Sequence, residues 1–165
     1  MIRLPRVLLD EAFEVAADSA VAAIAGAQPI AIGWATVELD RAATELAGAL
    51  GLADEAFEPT ARSPTLGCAC RVARDVLGDR RSIVLLEPDT EGRLAATLAR
   101  LGEGPSVAWL EAPDPAAASA ALRSAGIALS TERDGPLGPE WLLEDGAIRG
   151  PHRLLVGRPA GTIRA

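Results

Sequence analysis

The chain has 165 residues, enough for one domain or for two small modules fused around a shared core. Hydrophobic residues make up 49% of it and aromatic ones only 3%, so Ala, Leu, Val and Ile must fill the interior. A net charge of −7 argues against nucleic acid or an anionic membrane as partner, because both select basic surfaces. All 16 basic residues are Arg, and Lys, Asn and Tyr are absent, which reads as a GC-rich bacterial genome rather than a functional choice. No apolar run approaches the roughly 20 residues that a membrane helix needs. The Ala-rich stretch from Ala12 to Ala27 is interrupted by Glu14 and Asp18 and has no basic segment leading directly into it, so it does not read as a signal peptide. The expected location is the cytoplasm.

Residues 1–9 read as extended, and Asp10 is placed to cap a helix with Glu11 and Glu14 in its first turn. Phe13, Ala16, Ala20, Val21 and Ile24 share one face of that helix, which Gly26 and Pro29 end. This leader, residues 1–29, suits covering a sheet edge or meeting a second subunit, and a homodimer is therefore a candidate assembly. Residues 30–37 read as a strand, followed by a helix capped by Asp40 with Ala43, Leu46, Ala47 and Leu50 inward. A charged, Pro-containing loop from Asp54 to Pro64 precedes strands at Leu66 to Val72 and Ser82 to Leu86, joined by a Gly78-Asp79 turn, with one short strand near Phe57.

A connecting helix is expected from Glu91 to Leu101, with Thr90 as cap and Leu94, Leu98 and Leu101 on one face. Residues 105–111 form the next strand. Asp114-Pro115 supplies a cap and a first helical residue, and the helix ends at Gly126. Strands near Ala128, around Trp141 and at Arg153–Val156 complete the pattern, with Asp145-Gly146 as a hairpin turn and a loose tail.

The chain repeats itself. Ala31-Ile32-Gly33-Trp34 returns as Ser106-Val107-Ala108-Trp109, 75 residues on, and the register runs without a gap to Leu50-Gly51-Leu52, answered by Ala125-Gly126-Ile127. Ile83-Val84-Leu85-Leu86-Glu87-Pro88 is echoed by Leu154-Leu155-Val156-Gly157-Arg158-Pro159, 71 residues on. Two βαβββ modules, at 30–90 and 104–158, thus flank a connector at 91–103, with a tail at 159–165. The fold class is α+β, and a site between the halves is expected.

The run from Ala31 to Ala42 resembles the opening strand and helix start of the vicinal oxygen chelate superfamily. Leu85-Leu86-Glu87-Pro88, a short helix and Gly102-Glu103-Gly104 resemble its methylmalonyl-CoA epimerase and glyoxalase branch in particular. The resemblance covers residues 30–158. It implies a cup formed by two curved modules, holding a divalent metal through one ligand from each of four strands. Those four positions fall here on Ala31, Val84, Ser106 and Leu155, with a one-residue gap allowed at Ser106, and none offers an imidazole or carboxylate. No metal and no other cofactor is expected.

Strand alternation then puts Ala31, Gly33 and Ala35 inside the cup, with Val84, Leu86, Ser106, Ala108, Leu110, Leu155 and Gly157. Such a floor suits a hydrophobic or aromatic ligand; equally, these residues can pack together and leave no cavity. Trp34 and Trp109, at equivalent positions, read as pillars under the helices. Glu111 and Glu140 are the carboxylates placed to project toward the cup, where a raised pKa would let them shuttle protons. Arg71 is the cation at hand for an anionic ligand. Cys68 and Cys70 share one strand face and read as small buried hydrophobes, or as a reactive or metal-binding pair. His152 is an acid–base candidate or an exposed turn residue. Two functions follow: a metal-free protein that binds a hydrophobic small molecule, as bleomycin-resistance members of the superfamily do, or a metal-independent isomerase, lyase or cyclase. A structural subunit with a collapsed cup is a third reading.

Overall fold

Pro5 opens the first helix, where its missing N–H costs nothing because first-turn donors lack intrahelical partners. The computed structural model describes residues 4–78, 80–144 and 151–157. Helix α1 (Pro5–Ala17) buries Leu9, Phe13 and Ala16 at i, i+4, i+7 spacing. The extended leader expected from the sequence is therefore helical from Pro5. Asp10 lies inside the helix and pairs with Arg6 one turn earlier instead of capping it. Ser19 divides the leader: its hydroxyl donates to the Ala16 carbonyl at 2.7 Å and accepts the Ala22 N–H at 3.2 Å, starting α2 (Ala20–Ala25). Helix α1 packs on the two central strands and α2 on a later helix, so the leader covers the middle of the sheet, not its edge.

The first module contains β1 (Gln28–Ala35), α3 (Leu39–Leu50), β2 (Glu58–Pro59), β3 (Cys68–Ala73) and β4 (Ser82–Pro88). After α4 (Arg93–Leu101) the second contains β5 (Gly104–Ala112), α5 (Pro115–Ser124), β6 (Ala128–Leu129), a short additional β7 (Arg133–Gly135), β8 (Gly138–Glu144) and β9 (His152–Gly157). The strand order is β2-β3-β4-β1-β5-β9-β8-β6, with β7 paired to β8. Within each module the first and last strands pair in parallel, β1 with β4 and β5 with β9; the modules join through antiparallel β1 and β5. The Asp145-Gly146 turn, Asp79 of the earlier turn and the tail lie outside the described residues.

Asp114 caps α5 as expected, accepting the Ala117 N–H at 3.0 Å. Helix α3 is capped differently. Glu38 occupies the cap position without a side-chain bond, and the Leu39 N–H is taken by Glu87 of β4 at 2.8 Å. Glu103, from the turn before β5, accepts the Thr36 hydroxyl at 2.6 Å, the Val37 N–H at 2.9 Å and Arg41. Asp40 sits in the first helical turn and pairs with Arg71.

The register of the central seam corrects the repeat. Ile32 faces Ala108, with Ala31 opposite Trp109 and Gly33 opposite Val107. A two-fold through that ladder relates Ala31 to Val107 and Gly33 to Trp109, an offset of 76 that also holds between the first residues of α3 and α5. The offset of 75 returns only at Gly51 and Gly126, because the second helix reaches its glycine one residue sooner. Likewise Gly33 pairs with Val84 and Trp109 with Leu154, so Val84 corresponds to Leu154 rather than Leu155. One residue of slip turns every side chain to the other face.

The helix face of the sheet carries Ile32, Ile83, Leu85, Ala108, Leu110 and Leu155 against α1, α3 and α5. The cup face carries Ala31, Val84, Leu86, Val107, Trp109 and Leu154, joined by Leu66 and by Leu94 of α4. Each fully buried aliphatic side chain contributes about 1.5–3 kcal/mol relative to exposure.

Candidate functional site

The cup floor is packed. Gly33 leaves the space: a Cβ there would lie 2.6 Å from Leu86 Cδ1, 2.8 Å from Val107 Cβ and 2.9 Å from Trp109 Cζ3. Trp109 is thus a cup residue, not a pillar under the helices. Its Nε1–H donates to Glu140 Oε2 at 3.0 Å, and the Ser63 hydroxyl donates to Oε1 at 2.6 Å. Glu140 is 0% exposed. Gly135 makes room for it, since a Cβ there would meet the Glu140 carboxyl at 2.2 Å. Burial pushes the Glu140 carboxyl above the usual range, and Ser63, Trp109 and Thr65 pull the other way without overcoming it. The buried Thr65 hydroxyl stands near the carboxylate but makes no hydrogen bond among the described residues.

Cys68 and Cys70 face the same cup wall, their sulfurs 3.8 Å apart. Contact with Cys70 and burial push the Cys68 thiol up, and the Glu140 carboxylate adds to that. His152 Nε2 lies 2.9 Å from Thr97 Oγ1. The Thr97 hydroxyl hydrogen goes to the Arg93 carbonyl, so His152 donates in this contact.

The expected site residues divide. Ala31, Gly33, Ala35, Val84, Leu86 and Glu140 lie on the cup face. Ala108, Leu110 and Leu155 lie on the helix face, moved there by the one-residue slip. Arg71 also leaves the cup: it alternates with Cys70 and Val72 on β3 and reaches out to Asp40. Sequence reasoning missed Ser63, Thr65 and the role of Trp109, because a donor to a buried carboxylate comes here from a loop and a strand far apart in the chain.

Open space lies elsewhere. A hollow of about 370 Å3 sits between α1, α4 and β5, lined by Leu8, Ala12, Val15, Ile32, Ser106 and Ala108 among others. Thr97 and Leu101 of α4 close one side. A second, polar hollow of about 180 Å3 lies where the two modules meet, with Arg74, Arg80, Ser82 and Glu111 on its walls. Of the two expected carboxylates, Glu111 therefore reaches open space and Glu140 does not.

The four strand positions implied for a metal are Ala31, Val84, Val107 and Leu154 once the register is corrected. All are buried hydrocarbon packed with Trp109, and a divalent cation finds no donor among them. Among the described residues no group of three or more His, Cys, Asp or Glu is placed to hold a metal. The cup residues do not fit that group.

By sequence, no protein-family model and no curated protein matches the chain. Solved structures do. The chain is similar to methylmalonyl-CoA epimerase from Mycobacterium tuberculosis, with a TM-score of 0.67 and 24% identity over 81% of this chain and 88% of that one. It is similar to a single-residue variant of Streptomyces coelicolor methylmalonyl-CoA epimerase in complex with 2-nitronate-propionyl-CoA, with a TM-score of 0.65 and 24% identity over 81% and 95%. A hypothetical protein from Bacillus halodurans C-125 gives a TM-score of 0.66 and 17% identity over 82% and 97%. The chain has the vicinal oxygen chelate fold, and at these identities the likeness is one of fold.

Proposed function

We propose that this chain, on its vicinal oxygen chelate scaffold, is a metal-free protein that binds a hydrophobic small molecule, and that the molecule occupies the hollow between α1, α4 and β5. One observation carries this: about 370 Å3 of open space with walls that are chiefly Leu, Ala, Val, Ile and Pro. That size lies within the range of small-molecule pockets, and apolar walls with a few polar groups are their usual lining. Ser106, expected at the cup floor, borders this hollow instead, as does Ala108. The proposed ligand thus sits on the helix side of the sheet, and the leader helix forms one wall.

The enzyme alternative, a metal-independent isomerase, lyase or cyclase, needs an acid or base that substrate can reach. Glu140 is sealed between Ser63, Trp109 and Gly135 and is out of reach. The carboxylate that borders the proposed hollow, Glu11 of α1, is an exposed residue, so the preference for binding rests on the apolar lining. The test is direct. Protein purified under native conditions and extracted into organic solvent should release an apolar molecule in near-stoichiometric amount by mass spectrometry. An apolar fluorescent probe should also bind the emptied protein in one-to-one ratio, and Ala12→Trp, which fills the hollow, should weaken that probe at least tenfold. Equal probe binding by the folded Ala12→Trp protein would refute the assignment.

A further inference from the structure

The polar hollow at the module junction borders the packed cup, since Ile30 and Leu137 on its walls pack against the cup cluster, and it lies apart from the proposed apolar site. Its walls come from both modules: Arg74, Arg80 and Ser82 from the first, Glu111 and Gly157 from the second. Arg6, Arg41, Arg62, Arg71 and Arg93 each bridge to a carboxylate. Arg74 and Arg80 form no ion pair among the described residues, although the chain has 23 acidic residues for 16 basic ones. Two exposed arginines thus border one small cavity with no ion pair to a carboxylate among the described residues.

Ser82 adds a donor. Its Oγ accepts the Asp75 N–H at 3.1 Å, which leaves the hydroxyl hydrogen to give, and Ser82 is itself buried. Asp75 and Arg80 hold left-handed backbone conformations, at φ 54° and 62°, uncommon for non-glycine residues though less so for Asp. Both residues border the hollow. About 180 Å3 equals the liquid volume of roughly six waters, the size of a small organic acid or an inorganic phosphate. Asp75 and Glu111 also border the hollow and oppose an anion, so binding there rests on directed donors from the arginines rather than on a net positive field.

We propose that this hollow is a binding site for a small oxyanion, a carboxylate or a phosphate group, held by Arg74 and Arg80 with the Ser82 hydroxyl. Guanidinium suits both groups, since its planar donors match paired oxygens.

Thermal unfolding of the full chain, titrated with sodium acetate or sodium phosphate against sodium chloride at equal ionic strength, tests this. A saturable rise in Tm above the chloride control is expected with at least one oxyanion. A response to acetate alone assigns a carboxylate ligand, to phosphate alone a phosphate ligand, and to both the shared oxyanion chemistry. The Arg74→Ala/Arg80→Ala variant should need at least tenfold more anion, while Arg100→Ala/Arg123→Ala should match the unmodified chain. An equal response in the folded Arg74→Ala/Arg80→Ala protein, or no rise above chloride, overturns the site. Phenylglyoxal labelling of the unmodified chain decides the matter if that variant does not fold. The effective anion should slow modification of Arg74 and Arg80 severalfold but not of Arg100, and unchanged labelling also overturns it.

Discussion

Glu140 and Glu103 are two carboxylates driven in opposite directions. Burial pushes Glu103 up as well, but the hydrogen bonds from Thr36, the Val37 N–H and Arg41 outweigh it and hold the carboxyl below the usual range. For Glu140 burial prevails. A group with a raised folded pKa stabilises the fold fully below its unfolded value, near 4.3 for Glu, and that contribution is lost as pH rises through the folded value. A group with a depressed folded pKa does the reverse, and its contribution is lost on acidification. Thermal unfolding from pH 4 to 8 should therefore show Glu140→Gln gaining on the unmodified chain as pH rises. The opposite slope would place Glu140 with Glu103. Little of this was legible beforehand: Glu140 stood out as a carboxylate on an apolar strand, whereas Ser63 is one hydroxyl in a charged loop.

Helices and strands were read well where local chemistry decides them. Asp114-Pro115 announced α5 because cap and first turn are neighbours in sequence, and the strands at Ser82 and Gly104 followed from their apolar runs. Asp40 is not the cap of α3 because Glu87 reaches the first helical N–H, that of Leu39, from 48 residues away, while Glu103 holds the approach to the helix at Val37 from 66. The leader was misread for a different reason. Leu4, Val7, Leu8 and Leu9 look like a strand until Pro5 is placed at the first helical position and Arg6 is paired with Asp10. Ser19 then matters more than its sequence suggests, since it joins the end of α1 to the start of α2. Ser19→Ala should lower stability by about 1 kcal/mol, measured by urea unfolding. No change would mean that packing alone sets the α1–α2 angle.

Across the whole molecule, the duplication and the two βαβββ modules were visible in sequence, and the faces of the second module were not. Small apolar residues fill both echoes, so a shift of one residue leaves the similarity nearly intact while exchanging the two sides of β5 and β9. The leader poses a related question of scale, because Val15 and Leu101 stay 57% and 69% exposed at the rim of one hollow. A homodimer covering that apolar rim is the proposed assembly. Light scattering after size exclusion should give twice the 17.0 kDa chain mass, with Val15→Arg/Leu101→Arg shifting it to monomer. A monomer at all concentrations would rule the assembly out.

Gly33 and Trp109 occupy equivalent places in the two modules, yet one supplies a slot and the other the key that fills it. At this pair of equivalent positions the modules are complementary rather than alike. A chain made of two first modules would carry two slots and a void, and one made of two second modules would drive two indoles into the same volume. The halves can no longer substitute for each other. The two similar halves are mutually dependent.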